Sequence, residues 1–162
     1  MTADPSETIA SRPTAMPWPP LLLVGLFTLA WLLGRAMPLP WPGVDDTPAR
    51  VIGAGFGLAG VAIMIWAALT LRRHHTTILP NKGADVLVTD GPFRYRRNPI
   101  YLAEVLIFLG LAEVTKNFWF AAAGLVFAAL VTWLAIIPEE RHLAAKFGDA
   151  YRDYKAKTRR WI

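Results

Sequence analysis

Residues 100–137 read IYLAEVLIFLGLAEVTKNFWFAAAGLVFAALVTWLAII, two apolar runs that meet at one short polar triplet, Thr115-Lys116-Asn117. The first run, residues 100–114, makes about 22 Å of helix, which is less than the roughly 30 Å of hydrocarbon in a bilayer. The second run, residues 118–137, is long enough to cross. The triplet therefore predicts a helical hairpin whose outer ends lie on the same side of a membrane.

Two further apolar runs precede this hairpin, at residues 21–37 and at about 51–71. Hydrophobic residues make up 54% of the 162-residue chain and charged residues 18%, below the roughly 25% that is usual in soluble domains. Prolines 38, 40 and 42 end the first of these runs, because proline cannot continue a helix. We therefore predict an all-α integral membrane protein with about four transmembrane helices.

Residues 138–162 are charged and have an amphipathic pattern. Their apolar and aromatic residues recur at helical spacing, which predicts a C-terminal amphipathic helix at the membrane interface with Pro138 in its first turn. The chain then divides into a mobile N-terminal tail at 1–20 and a two-span hairpin at 21–71. The remaining unit, 72–162, holds a cofactor-binding loop, the apolar hairpin and the amphipathic helix. We expect one membrane domain overall.

The basic residues predict the orientation of these helices. Of 17 Lys and Arg residues, six lie in 72–99, seven lie in 138–162 and one lies in the N-terminal tail, which leaves Arg35, Arg50 and Lys116. Cytoplasmic segments carry the excess of Lys and Arg. Both termini and both polar clusters are therefore expected in the cytoplasm, with the helices in an inner or plasma membrane.

Composition also excludes several classes of site. The chain has no cysteine, which excludes disulfides, thiolate catalysis and Cys-ligated metals, and its three histidines form no metal-binding set. No glycine-rich nucleotide loop or serine nucleophile motif is present. The basic clusters adjoin apolar runs, so the expected partner is the lipid bilayer and its anionic headgroups, not a nucleic acid.

The first polar cluster, residues 91–101, reads GPFRYRRNPIY. Pro99 suits the first turn of a helix and disfavours helix at Asn98, so Asn98 is expected to cap that helix and leave its N–H groups free for an anion. Arg97 adds forked donors for the same ligand, and Tyr95 and Tyr101 add flat faces. The alternative is that the arginines pair with lipid phosphate and the tyrosines form an interfacial belt.

The second cluster begins with Glu139 and Glu140. Neighbouring residues do not share a helical face, so two roles are expected: one acid pairs with Arg97, and the other faces a cationic or hydroxyl-bearing ligand. The alternative is that both are helix N-terminal acids. Glu104 lies three residues after Tyr101 on the same helical face and is expected to line the same pocket, since an acid in an apolar run needs a partner or a wet cavity.

Gly53 and Gly57 in the second apolar run form a small-xxx-small pair. This spacing lets another helix approach closely. The neighbouring helix belongs either to the same chain or to a second copy, so a homodimer through Gly53 and Gly57 is the less favoured alternative.

The two clusters together resemble the membrane methyltransferase superfamily of isoprenylcysteine carboxyl methyltransferases and phospholipid N-methyltransferases. The resemblance covers about residues 75–162. It rests on LVTDGPFRYRRNPIY at 87–101 and on EERHL at 139–143, followed by Phe147-Gly148, Tyr151 and Tyr154. One departure is Ala103, which stands where the family often has glycine and whose methyl group narrows the expected pocket slightly.

The resemblance implies S-adenosylmethionine as cofactor, with S-adenosylhomocysteine as product, bound at the cytoplasmic mouth. It implies a lipophilic small-molecule or lipidated acceptor that reaches the site from within the membrane. The implied cofactor-binding residues are Val88, Tyr95, Arg97, Asn98, Pro99, Tyr101, Glu139, Glu140 and His142. The candidates for action on the acceptor are Arg97, Glu104 and Glu140.

Two other functions fit parts of this sequence. A membrane sterol-reductase-like enzyme would bind NADPH at a similar mouth, with the arginines near Tyr95 holding its 2′-phosphate. A non-enzymatic membrane scaffold would leave Glu139, Glu140 and the Asn98-Pro99 corner without a role. An acidic pair suits a cationic cofactor better than a polyphosphate, which favours methyl transfer.

Overall fold

The structure, a computed structural model, describes residues 16–76 and 86–162 of the chain. Five α-helices follow in order: α1 (Trp18–Ala36), α2 (Thr47–Arg73), α3 (Pro99–Thr115), α4 (Phe118–Val131) and α5 (Ile137–Lys157). A 3₁₀-helix at Gly91–Arg94 precedes α3, and a π-helical turn at Thr132–Ile136 joins α4 to α5. The all-α prediction is confirmed.

Within residues 16–76 and 86–162, three helical segments are long and apolar enough to cross a membrane: Trp18–Ala36, Thr47–Arg73 and the continuous Phe118–Lys157. The remaining apolar helix, α3, has 17 residues, and its short length agrees with the short apolar run in the sequence. Asp46 caps α2 by accepting a hydrogen bond from the Ala49 amide at 2.8 Å, and Asn117 caps α4 through the Trp119 amide at 3.0 Å.

Two segments named from the sequence fall partly outside the described residues. Residues 1–15 of the expected N-terminal tail lie outside them, and so do residues 77–85 of the cofactor-binding loop. The predicted tail boundary at residue 20 is wrong, because α1 already begins at Trp18 and includes Pro19 and Pro20. Proline is favoured in a first helical turn, where its missing N–H has no partner to lose.

The helices pack in the order α2, α3, α4, α1, with α3 between α2 and α4. Small residues set the close approach of α2 and α3: a Cβ atom at Gly110 would lie 2.6 Å from the Gly57 amide nitrogen, and one at Gly53 would lie 2.5 Å from the Glu113 Cβ. The glycine face of α2 therefore packs within the chain. With this face covered by α3, a homodimer would have to use other residues.

The helix from α4 into α5 does not break where the sequence suggested a separate amphipathic helix. The π-helical turn ends directly before Ile137-Pro138, where the proline lacks the N–H that an α-helical turn needs. The predicted C-terminal helix after Pro138 is present as α5, and Gly148, with φ 53° and ψ −124°, kinks it. This angle lies in the region that glycine adopts without strain.

The basic residues separate as predicted between the two ends of the bundle. At the end that carries the α3–α4 turn, Lys116 donates to the Val44 carbonyl at 2.7 Å and Arg50 donates to the Val114 carbonyl at 3.4 Å. The motif end, defined here as residues 86–99 and 138–162, carries ten of the fifteen Lys and Arg residues of the described chain. The two polar clusters thus lie together, as the hairpin predicts.

Candidate functional site

A cavity of about 270 Å³ lies at the motif end. Residues from every α-helix except α4 line it, together with residues of the 3₁₀-helix, the π-helical turn and the loop before α3. Thr76 and Val86, which flank the undescribed residues 77–85, both line it. Its volume is close to that of the smallest ligand pockets in proteins.

Eight of the nine residues predicted to bind a cofactor line this cavity: Val88, Arg97, Asn98, Pro99, Tyr101, Glu139, Glu140 and His142. Glu104, predicted to act on the acceptor, lines it as well. Tyr95 is not among the lining residues. Its side chain is 60% exposed, and its ring centroid lies 6.5 Å from that of Trp66 on α2.

Glu140 is the centre of an ion-pair cluster that ties three segments together. Arg97 Nε lies 3.4 Å from its Oε1 atom, and both side chains are 11% exposed. Arg160 donates to both carboxylate oxygens, at 2.9 and 2.7 Å, and the Lys155 ammonium lies 3.7 Å away. The predicted contact of one acid with Arg97 is present, while Arg160 and Lys155 were not identified from the sequence.

The last residues of the chain form a strap along the start of α3, defined here as residues 158–162. The Arg97 amide donates to the Arg159 carbonyl at 3.0 Å, and Arg96 and Arg159 form a parallel bridge. Arg97 Nη1 also donates to the Thr158 carbonyl. These contacts bring the strap against the Arg97-Asn98-Pro99 corner.

Asn98 does not cap α3 with its side chain, so that prediction is wrong. It occupies the N-cap position, but its Nδ2 atom donates to the Arg160 carbonyl at 3.0 Å. The physical reason is the strap, which brings a backbone acceptor within reach of the amide. Asn98 therefore joins the strap to α3 at the edge of the cavity.

Two aromatic residues complete the attachment of α5 and the strap. The Tyr154 hydroxyl donates to the Phe93 carbonyl at 2.8 Å, and Trp161 Nε1 donates to the Thr132 hydroxyl of the π-helical turn at 3.2 Å. The sequence pattern placed Tyr154 on the apolar face of the amphipathic helix and in the family motif, whereas Trp161 was not identified. A tryptophan within the charged residues 152–162 was the sequence feature that could have indicated a packed C-terminal segment.

A second polar layer lies deeper in the bundle than the Glu140 cluster. The Tyr101 hydroxyl donates to the Glu139 carboxylate. Glu139 and Glu104 form no ion pair within residues 16–76 and 86–162. Glu140 thus takes the structural contact with Arg97, and Glu139 remains beside the cavity, which is the division of roles that the sequence predicts for the pair.

Three buried polar atoms of the wall have no hydrogen-bond partner among the described residues. They are Glu104 Oε2, the Tyr151 hydroxyl and the Thr76 hydroxyl. Folded proteins seldom leave such atoms unpaired, because each loses its hydrogen bonds to water on burial. These three atoms are therefore available to hydrogen-bond a polar ligand or water in the cavity.

The loop before α3 is held by a local turn and by one contact with α2. Gly91 has φ 54°, and a Cβ atom there would lie 2.5 Å from the Thr70 hydroxyl, so this turn requires glycine. The His74 imidazole donates to Asp90 at 2.9 Å and holds the pKa of that carboxyl below its usual value. This loop places Phe93 and Arg97 on the cavity wall.

A sequence profile of the phospholipid methyltransferase family matches residues 48–150, which include both polar clusters up to the kink in α5. The chain belongs to the phospholipid methyltransferase family. The predicted superfamily is thereby confirmed. The match begins in α2, so it covers three of the four apolar helices and most of the cavity wall.

Three curated proteins are similar to this chain over different shares of its length. The nickel-cobalt-cadmium resistance protein NccN of Alcaligenes xylosoxydans xylosoxydans is 28% identical over 85% of this chain and 59% of its own length. The cobalt-zinc-cadmium resistance protein CzcN of Cupriavidus metallidurans is 30% identical over 84% of this chain and 58% of its own length. This chain thus spans about three-fifths of both relatives.

A third relative is the protein-S-isoprenylcysteine O-methyltransferase of Schizosaccharomyces pombe, which is 37% identical over 45% of this chain and 31% of its own length. No solved structure matches this chain. The described residues contain no group of three or more histidines and acids placed to hold a metal ion.

Proposed function

We propose that this membrane protein is an S-adenosylmethionine-dependent methyltransferase whose acceptor is a lipophilic molecule. The observation that carries the proposal is the cavity at the motif end, where the Arg97–Tyr101 motif and the Glu139-Glu140 pair form one wall. Family membership supports methyl transfer as the reaction. The basic motif end supports a cytoplasmic site, by the positive-inside rule.

The residues of the wall fit the polar groups of this cofactor. S-adenosylmethionine carries a carboxylate, an ammonium group, a sulfonium, ribose hydroxyls and an adenine. The wall offers the carboxylate of Glu139 for a cationic group, the Arg97 guanidinium for an anionic one, and the rings of Tyr101 and Tyr154 for a base. The unpartnered hydroxyls of Thr76 and Tyr151 suit the remaining polar groups.

The bound cofactor would supply a methyl carbon on a positively charged sulfur, open to in-line attack. The protein's own residues then have three tasks. Glu139, held by Tyr101, stabilises positive charge beside the cavity. Arg97 and Asn98 hold the strap against the edge of the cavity, and this packing would keep water from that edge and fix the geometry of the reacting groups.

Of the two alternatives, the reductase is not supported by the wall. Arg94 and Arg96, the arginines that would hold a 2′-phosphate, are not among the lining residues, and Arg96 donates to the Tyr95 carbonyl instead. A scaffold would leave the unpartnered atoms of the cavity without a ligand. Methyl transfer accounts for both observations.

Calorimetric titration of the purified protein with S-adenosylhomocysteine tests the proposal, with NADPH as comparator. We expect micromolar binding of the former alone. Glu139→Gln removes a carboxylate of the wall but keeps its shape, and we expect it to weaken binding about tenfold, since a charged hydrogen bond contributes about 1.5–3 kcal/mol.

The matched control is Glu113→Gln, which removes the same charge from the opposite end of α3, where Glu113 pairs with Lys116. This variant should bind S-adenosylhomocysteine as the wild type does. Binding of NADPH alone, or equal losses in both variants, would contradict the proposal.

A further inference from the structure

Glu104 is an acid on the cavity wall, less than one helical turn deeper along α3 than Tyr101. It is 7% exposed, and its Oε2 atom lacks a hydrogen-bond partner among the described residues. A buried carboxylate oxygen accepts hydrogen bonds and seldom stays without a donor. A ligand group with an N–H or O–H at this position would supply the donor.

The charges of the wall disfavour a negatively charged acceptor at Glu104. The described wall has one Lys or Arg side chain, Arg97. Its Nε and Nη1 atoms already donate to Glu140 and to the carbonyls of Lys155 and Thr158, which leaves Nη2 for the carboxylate of the proposed cofactor. An acceptor carboxylate beside Glu104 would bring like charges together in a site of low dielectric constant. A cationic group, or a neutral group that carries a proton, would bring no second negative charge to Glu104.

The rest of the wall near Glu104 is apolar. Pro19 and Leu23 of α1, Leu71 of α2 and Ile136 of the π-helical turn line the same cavity. α1 packs on α4 and α2 packs on α3, while α1 and α2 form no packed pair with each other. The proposed entry of an apolar acceptor from the bilayer therefore lies between these two helices.

We propose that Glu104 selects acceptors whose nucleophile carries a proton, an amine or a hydroxyl on an apolar molecule, and accepts that proton during methyl transfer. Acceptors that react through a carboxylate are rejected. This inference rests on the proposed function and names the substrate class of the same site.

The step balances with S-adenosylmethionine as the methyl donor. One proton passes from the acceptor nitrogen or oxygen to the Glu104 carboxylate, and the freed lone pair forms the new bond to the methyl carbon. The carbon–sulfur bond breaks, and its electron pair stays on sulfur to give the neutral thioether of S-adenosylhomocysteine. Glu104 returns its proton to water when the product leaves.

The test compares three probes of equal chain length: dodecylamine, 4-dodecylphenol and dodecanoic acid. Each is titrated by calorimetry into the protein in neutral-lipid nanodiscs saturated with S-adenosylhomocysteine. We expect the amine and the phenol to bind about tenfold more tightly than the acid, or better, because only they satisfy Glu104 without a like charge. This ranking uses the wild type alone and so does not depend on the folding of a variant.

Glu104→Gln should weaken binding of the amine and the phenol about tenfold and leave the affinity for S-adenosylhomocysteine unchanged. Glu113→Gln on the same helix should change neither. Equal binding of all three probes, or probe binding that does not respond to Glu104→Gln, would overturn this inference alone. Failure of the wild type to bind S-adenosylhomocysteine would overturn the proposed function and this inference with it.

Discussion

Neighbouring acids have different roles in this protein because a helix separates consecutive side chains by about 100°. Glu140 points to the strap and is paired with Arg160 and Arg97, whereas Glu139 accepts from Tyr101 beside the cavity. Removing the Glu140 carboxylate would therefore loosen the strap, whereas removing the Glu139 carboxylate would alter the wall of the cavity. The pair reads as one motif in the sequence and as two sites in the structure.

Single glycines also have separate consequences. We expect Gly110→Ala to destabilise the bundle by about 1–3 kcal/mol, because its Cβ atom would lie within 2.6–2.8 Å of the backbone of Gly53 and Gly57. Gly55→Ala is the matched control, since nothing lies within 4 Å of a Cβ atom there. It should leave stability unchanged or raise it by about 0.5–1 kcal/mol, as alanine favours helix.

Thermal unfolding in one detergent, followed by circular dichroism, measures both glycine variants. A Gly110→Ala protein as stable as the wild type would show that α2 and α3 do not approach as closely as described.

At the scale of elements, the strap connects α5 to the start of α3. Its contacts use the backbone of Arg97 and Arg159, the side chain of Asn98 and the ring of Trp161. Each contact joins residues far apart in the chain. A cofactor held between α3 and α5 would therefore depend on a segment that is not itself a helix.

Arg160→Ala should release the strap without unfolding the bundle. It removes both hydrogen bonds to Glu140 and leaves a carboxylate that is mostly buried, at a cost of about 1–2 kcal/mol after allowance for the partly exposed arginine. Hydrogen exchange should become faster at the Arg97 amide, which bonds to the Arg159 carbonyl, and the affinity for S-adenosylhomocysteine should fall.

Arg152→Ala serves as the control for the strap, because its partner Asp149 is 88% exposed and the pair contributes little. The exchange rate of the Arg97 amide should not change in this variant. Unchanged exchange in Arg160→Ala would show that the strap is held by its other contacts.

The whole molecule is a bundle with two unlike ends. Arg35, Arg50 and Lys116 belong to one end, and both polar clusters and the cavity belong to the other. Between them lie the three described helical segments that are long enough to cross a membrane. This polarity is the basis for proposing a cytoplasmic site.

Labelling with a membrane-impermeant maleimide tests that orientation, and the absence of native cysteine keeps the background low. Val44→Cys and Ile162→Cys place single thiols at opposite ends, at residues that are 66% and 79% exposed. In intact cells we expect the first to be labelled and the second to be labelled only after permeabilisation. The reverse pattern would contradict a cytoplasmic site.

Local chemistry determined the helices of this protein. The apolar runs, the Asn98-Pro99 start of α3 and the Thr115-Lys116-Asn117 turn each act over a few residues. The sequence alone therefore predicted the all-α class, the short α3 and nine of the residues that line the cavity. Only the tertiary structure decided how these residues are used. Asn98 bonds to the Arg160 carbonyl of the strap, 62 positions along the chain, and Glu140 pairs with the Arg160 side chain, 20 positions along it. No local pattern in a five-residue strap encodes such contacts, which depend on the packing of the whole bundle.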